Sequence, residues 1–397
     1  MKYIILVPDG VSDQPCDELD GKTPLEVANI PNMNWFCKTG KMGSANTIPD
    51  GLPPGSDVGH LSILGYDPKS CYTGRAPIEA ASMGINLKDG EVAFRMNLVT
   101  ESDGKLIDYS AGHISTKEAR QIVNFLKTRL DSDRVKLHPG IQYRHIAVIS
   151  DPQGVAGLSA KCTPPHDIQG KPIDEYLPKG NGAELLKKVM DEARILLRDH
   201  EVNRVRIDLK ENPANMIWFW GQGIMPKIEL FVKKYGKTGS LISAVDLVRG
   251  IGRLSGLEVL EVPGITGYID TNYENKVEYG LKSLANKDMT YIHVEATDEA
   301  GHEGNVKLKI MAIEDFDKRV VGPIREYMKS HPDTRVLIMP DHATACRVKT
   351  HVRGAVPFVM AGKGIEHSGL DEFTETAASQ SPVQVAEAHA LMGEFFK

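Results

Sequence analysis

Two stretches near the C-terminal end pair carboxylates with imidazoles in a pattern suited to a divalent cation. Residues 289–304 read MTYIHVEATDEAGHEG, and residues 335–345 read RVLIMPDHATA. In each, a short apolar run of strand type (Tyr291 to Val294, Val336 to Met339) gives way to an acid and a histidine. If 299–303 begins a helix, Asp298 and His302 share one face, with about 5–6 Å between their Cβ atoms. Asp341 and His342 are adjacent where a strand ends, the place where open α/β sheets carry their sites. His351 follows after a short polar stretch. Five Asp and His side chains so placed suit Zn²⁺, Mn²⁺ or Fe²⁺ better than a structural zinc cage. Taken singly, any of them is an ordinary loop residue.

Two earlier positions bear on the same chemistry. Asp9 falls just past the apolar run YIILV at 3–7, which is the placement of Asp298 and Asp341 again. On its own it is a turn aspartate before Gly10. Ser56 follows Pro53-Pro54-Gly55 and precedes helical spacing over Asp57 to Leu64, which puts it at or near a helix N-cap. There it either caps the helix or presents its hydroxyl where free N–H groups and the positive dipole end favour a phosphate. His60, one turn on, either contacts the same phosphate or packs. A serine held between divalent ions loses its proton readily and becomes a nucleophile for phosphoryl transfer.

The elements that must position these groups alternate between strand and helix at both ends of the chain. Residues 24–40 suggest two helices, or one broken at Pro31, and Ile78 to Met83 another helix. From about residue 87 the pattern changes to EVAFRMNLVT, KLIDY, VKLHP and IQYRHIAVIS as strands. A helix over 116–130 is capped by Ser115 with Glu118 in the capping-box position, and 181–200 is amphipathic. This inserted α+β unit is expected to span 87–211, interrupting a larger unit made of 1–86 and 212–397. The larger unit then resumes with NMIWFW, a helix at 226–235, GSLISA, a helix at 246–255, LEVLEV and a helix at 273–286. VPFVM at 356–360 and a closing helix over 382–396 end it.

Bulk properties narrow the function. The chain has 397 residues, 41% hydrophobic and 25% charged, which is ordinary for a globular protein of two or three domains. A net charge of −6 argues against a nucleic-acid or polybasic membrane surface. No run approaches the length of a membrane span, and YIILV is too short for a signal segment. Cysteines 16, 37, 71, 162 and 346 are odd in number and lack CxxC spacing, which suggests free thiols in a reducing cytoplasm.

With these residues in hand, the chain closely resembles the archaeal-type cofactor-independent phosphoglycerate mutases and their bacterial relatives, within the alkaline phosphatase superfamily. The resemblance covers essentially the whole chain. It is carried by VPDG at 7–10, PPGSDVGHLSILGYDP at 53–68, YTGRAPIEA at 72–80, ISAVDLVRGIG at 242–252, HVEATDEAGHEG at 293–304 and PDH at 340–342. It implies an α/β fold: a mainly parallel sheet with helices on both faces, interrupted by a smaller α+β lid. It also implies Asp9, Ser56, Asp341 and His342 at one metal, and Asp298, His302 and His351 at the other. Ser56 would be the transient phosphate acceptor between 3- and 2-phosphoglycerate. Two divalent ions are implied, Mn²⁺ foremost with Zn²⁺ or Co²⁺ as alternatives, and no 2,3-bisphosphoglycerate. Arg75, Arg95, His113, Arg144 and Arg249 are the candidates for holding a small phosphorylated substrate. Archaeal members carry an arginine-rich DRRAGR-like segment in the lid, where this chain has Asp108-Tyr109-Ser110-Ala111-Gly112-His113. A homoserine kinase-like phosphotransferase and a phosphohydrolase of the same superfamily are the alternative activities.

Overall fold

The computed structural model describes residues 1–150 and 159–397. The chain forms two compact units, Met1–Tyr72 with Ile228–Lys397, and Thr73–Lys227.

The first unit is built on an eight-stranded sheet. Its order is Gln384–Val385, Gly40–Ala45, Val356–Gly362, Thr334–Ile338, Lys2–Pro8, Met289–Val294, Gly239–Ile242 and Glu258–Val259. Lys2–Pro8 lies at the centre, parallel to both Met289–Val294 and Thr334–Ile338, and these three strands are almost wholly buried. Burial on both sides explains why they read as continuous apolar runs rather than alternating ones. Side chains still alternate by face. Ile4, Leu6, Ile292, Val294, Val336 and Ile338 point into one core with Phe36, Tyr273 and Phe316 from helices. Tyr291 and His293 point to the opposite face, where both rings meet His60 of the helix Ser56–Ile63. Helices therefore cover both faces. Val356–Gly362 runs antiparallel to its two neighbours, so the sheet is mixed rather than purely parallel.

The second unit centres on an antiparallel sheet in which Glu91–Ser102 pairs with Arg144–Ser150, Met216–Gly223 and Lys105–Asp108, and Arg144–Ser150 pairs in turn with Val135–Ile141. The helix Thr116–Leu130 has the Ser115–Glu118 capping box in place. It packs its apolar face, with the helix Ala183–Leu197, into one core with Phe94, Trp218 and Phe219.

Several elements differ from expectation. The sequence pattern puts NMIWFW in the larger unit, but Met216–Gly223 registers against Glu91–Ser102 and buries Trp218 and Phe219 in the smaller core. The smaller unit also begins at Thr73 rather than residue 87, because the helix Arg75–Ser82 lends Ala76 and Ala80 to a cluster with Ala93, Ile146 and Val148. The helix expected over 226–235 is limited to Phe231–Tyr235. The expected closing helix over 382–396 opens instead with a short strand, Gln384–Val385, paired parallel to Gly40–Ala45; its helical part is Leu391–Phe395.

Candidate active site

Three parallel strands end side by side, and each delivers an acid. Lys2–Pro8 leads into Asp9, Thr334–Ile338 into Asp341, and Met289–Val294 into the helix Ala296–Glu303 that carries Asp298 and His302. The turn after Pro8 depends on Gly10, whose φ of +57° is left-handed. A Cβ there would also stand 2.5 Å from both Asp298 Oδ1 and Thr344 Oγ1. The Gly10 N–H donates to Asp341 Oδ1 at 3.1 Å, and Thr297 Oγ1 donates to the Asp9 carbonyl. Gly59 lets the Ser56 helix come close, since a Cβ would meet the Asp341 carbonyl oxygen at 2.5 Å.

These constraints gather the seven expected ligands into two adjoining groups. In the inner group His342 Nε2 lies 3.1 Å from Asp341 Oδ2, 3.7 Å from Asp9 Oδ1 and 3.1 Å from Ser56 Oγ. In the rim group His302 Nε2 lies 3.3 Å from Asp298 Oδ2 and 3.0 Å from His351 Nε2, and His351 Nε2 is 3.6 Å from Asp298 Oδ1. Asp298 and His302 are one helical turn apart. His351 arrives differently, on the hairpin of Ala343–Ala345 and Thr350–Val352, in register opposite Thr344. The two groups touch through His342 and His351, whose ring centroids are 4.0 Å apart.

Sequence reasoning missed the groups that hold these ligands. Thr344 Oγ1 donates to Asp298 Oδ1. His293 Nε2 lies 2.8 Å from Asp9 Oδ2, and its Nδ1 2.9 Å from Ser243 Oγ. The ammonium of Lys309, fully buried, donates to the carbonyls of Ser12 and Thr344 and to Asp13, tying the loop after the first strand to the hairpin. Lys276 is also buried and donates to the His293 carbonyl at 2.8 Å; burial lowers its pKa to about 8. A histidine and lysines inside otherwise apolar patterns were the available signals.

The site's electrostatics call for a cation. Burial, reinforced by the Asp341 carboxylate, raises Asp9 well above the ordinary acid range. Asp341, by contrast, is held low against its own burial by His342 and His60. Asp9 Oδ1, Asp341 Oδ2 and His60 Nε2 are buried without a hydrogen-bond partner. Orphaned polar atoms of this kind are costly, and a divalent ion would satisfy them. Asp/His donor sets without thiolate suit a divalent cation.

The candidate substrate groups are placed as follows. Arg95 is buried, its guanidinium 4.1 Å above the Trp220 ring and 2.9 Å from Glu79, which Arg75 also contacts at 2.9 Å. Arg144 and His113 are exposed, each beside the Tyr143 ring. Arg249, in the larger unit, pairs with Glu261. The Asp108–His113 segment is a tight turn around Asp108, which accepts from the Ser110 N–H and hydroxyl, the Gly112 N–H and Asn212. Ala111 and His113 both sit at positive φ. Tyr109 and Ser110 thus serve the turn, with Ser110 buried and Tyr109 packed edge-on to Tyr143.

A serine beside convergent acids and imidazoles at the ends of parallel strands defines an α/β enzyme of metal-assisted phosphoryl transfer. Comparison with known proteins agrees. The family model for 2,3-bisphosphoglycerate-independent phosphoglycerate mutase matches residues 37–203. A probable enzyme of that name from Geobacter sulfurreducens is 49% identical over 99% of this chain and 98% of its own. One from Methanosarcina acetivorans is 45% identical over the whole of both chains. Among solved structures, a protein of Pyrococcus horikoshii superposes with a TM-score of 0.84 at 28% identity, covering 99% of this chain and 96% of its own. The cofactor-independent phosphoglycerate mutase of Thermoplasma acidophilum gives 0.68 at 27%, covering 100% and 99%. The chain belongs to the family of 2,3-bisphosphoglycerate-independent phosphoglycerate mutases. Membership implies divalent metals and no bisphosphoglycerate. No helix among the described residues is long and apolar enough to cross a membrane.

Proposed function

We propose that the protein interconverts 3-phosphoglycerate and 2-phosphoglycerate by passing the phosphoryl group through Ser56. The observation that carries this reading is the full-length identity to relatives named for that reaction, combined with a serine hydroxyl 3.1 Å from His342 at the start of a helix. The same relatives favour the mutase over the homoserine kinase and phosphohydrolase readings.

In the first half-reaction Ser56 Oγ gives up its proton and attacks phosphorus. The bond from phosphorus to the 3-oxygen breaks, and that oxygen takes a proton as glycerate forms. In the second, the 2-hydroxyl of the retained glycerate attacks phosphoserine, the Ser56 Oγ–phosphorus bond breaks, and Ser56 recovers its proton. Bound divalent ions, Mn²⁺ by preference and Zn²⁺ or Co²⁺ otherwise, would lower the serine pKa and offset the charge of the phosphoryl oxygens. Asp9, Ser56, Asp341 and His342 would hold one ion, and Asp298, His302 and His351 the other. The first N–H groups of the helix Ser56–Ile63 favour the phosphoserine state. The smaller unit acts as a lid that excludes water, so that phosphoserine is not hydrolysed before transfer. Arg75, Arg95, His113 and Arg144 of the smaller unit and Arg249 of the larger one remain the candidate substrate contacts, and a cytoplasmic location suits the free thiols.

A coupled assay on Mn²⁺-loaded protein tests the reading. It should convert 3-phosphoglycerate without added 2,3-bisphosphoglycerate and lose activity in chelator. ATP-dependent phosphorylation of homoserine with no mutase activity would refute it.

A further inference from the structure

We infer that His60 is an additional ligand of the inner cation, supplied by the same helix that supplies Ser56. The inference rests on the metal reading above and adds a residue outside the ligand set implied by the family.

Ser56 and His60 are four residues apart in the helix Ser56–Ile63, so both face the acids at the strand ends. His60 is fully buried, and its Nδ1 lies 2.5 Å from the Tyr291 hydroxyl. Its Nε2 has no hydrogen-bond partner and lies 3.7 Å from both Asp9 Oδ2 and Asp341 Oδ2. That separation is too long for a hydrogen bond. It is close to the spacing between two ligands of one ion, each about 2.0–2.2 Å from the metal. A single cation between them would satisfy the orphaned His60 Nε2 and Asp341 Oδ2 together, with Asp9 presenting the Oδ2 that His293 orients.

Two further features fit a ligand better than a packing residue. Ligating histidines usually engage their second nitrogen with an outer partner that fixes the ring, and Tyr291 does so here. His293, the other imidazole in this layer, spends Nε2 on Asp9 and Nδ1 on Ser243, so it orients Asp9 and leaves no orphan.

The test is a Co²⁺ titration of chelator-stripped protein, following stoichiometry by calorimetry and ligand field by visible absorption. Wild type should bind two ions. His60→Ala should weaken the inner ion by at least about tenfold and change its spectrum, whereas Tyr291→Phe should cost less. The isosteric His60→Asn keeps the packing if the alanine variant misfolds, with circular dichroism of the stripped proteins checking the fold. Independently, pulsed EPR on Mn²⁺-loaded wild type labelled with ¹⁵N-histidine should count four coupled imidazoles, adding His60 to His302, His342 and His351. A count of three, or folded His60 variants with unchanged affinity and spectrum, would overturn the inference. A third ion in wild type, placing His60 at a separate position, would overturn it too. Absence of any bound ion in wild type would instead refute the two-metal reading itself.

Discussion

The inner and rim groups of the site use similar residues in different surroundings. Asp9, His60, Asp341 and His342 have fully buried side chains, whereas His302 is 35% exposed and His351 19%. The inner group leaves three polar atoms unpaired, and its Asp9 is pushed toward holding a proton. The rim group closes on itself. Asp298 is held low against its own burial by a hydrogen bond from His302 and by its imidazole neighbours, and that bond raises His302 to about 9. A proton on His302 therefore partly substitutes for a cation at the rim, whereas the inner group keeps three buried polar atoms unpaired. The inner ion should be the tightly held one, and the rim ion the exchangeable and pH-dependent one.

The largest expected effect separates chemistry from binding. Ser56→Ala should lower phosphoryl transfer by about 10⁴–10⁶-fold, the scale for removing a nucleophile. Acid-quenched wild type should carry phosphate on the peptide containing Ser56. A variant near the wild-type rate, or label elsewhere, would move the nucleophile out of the inner group.

Removing one ligand from each group compares them directly. Asp341→Asn should abolish binding of the tighter ion, while His302→Ala should weaken only the looser one, as read by metal content after dialysis. Equal losses would break the comparison.

The rim group should also titrate. An ion must displace the His302 proton, so affinity for the looser ion should rise about tenfold per pH unit up to about 9 and then level off. The sign for stability is opposite. His302 is raised from 6.5, so its contribution to the metal-free fold is fully present below that value and is lost as pH rises through about 9. Melting curves in chelator across pH 6–10 read the second effect, and calorimetry reads the first. A pH-independent looser site would exclude His302 as its ligand.

The smallest effect concerns support at the rim. Thr344→Val removes the donor to Asp298 Oδ1 and the hydroxyl 3.2 Å from His342 Nδ1, and should weaken the looser ion by about 10–100-fold and the tighter one less.

Much of the site was legible because its signals are local. Asp298 and His302 are joined by helical spacing, Ser56 by the Pro-Pro-Gly entry to its helix, and Asp9 and Asp341 by the ends of apolar strands. The capping box at Ser115 marked its helix for the same reason, since a cap and its partner are three residues apart. What the tertiary structure decided involves pairing between distant segments. Met216–Gly223 has a strand's composition, but only its register with Glu91–Ser102 assigns it to the smaller unit. The start of the expected last helix became a strand because Gly40–Ala45 offered it a parallel partner. His351 joins Asp298 only because the hairpin sets it opposite Thr344, and His60 faces Asp9 and Asp341 only because Gly59 admits its helix. Residue type and short-range spacing determined which groups can do the chemistry. Their convergence depends on strand order and close backbone approach, which no short stretch of sequence encodes.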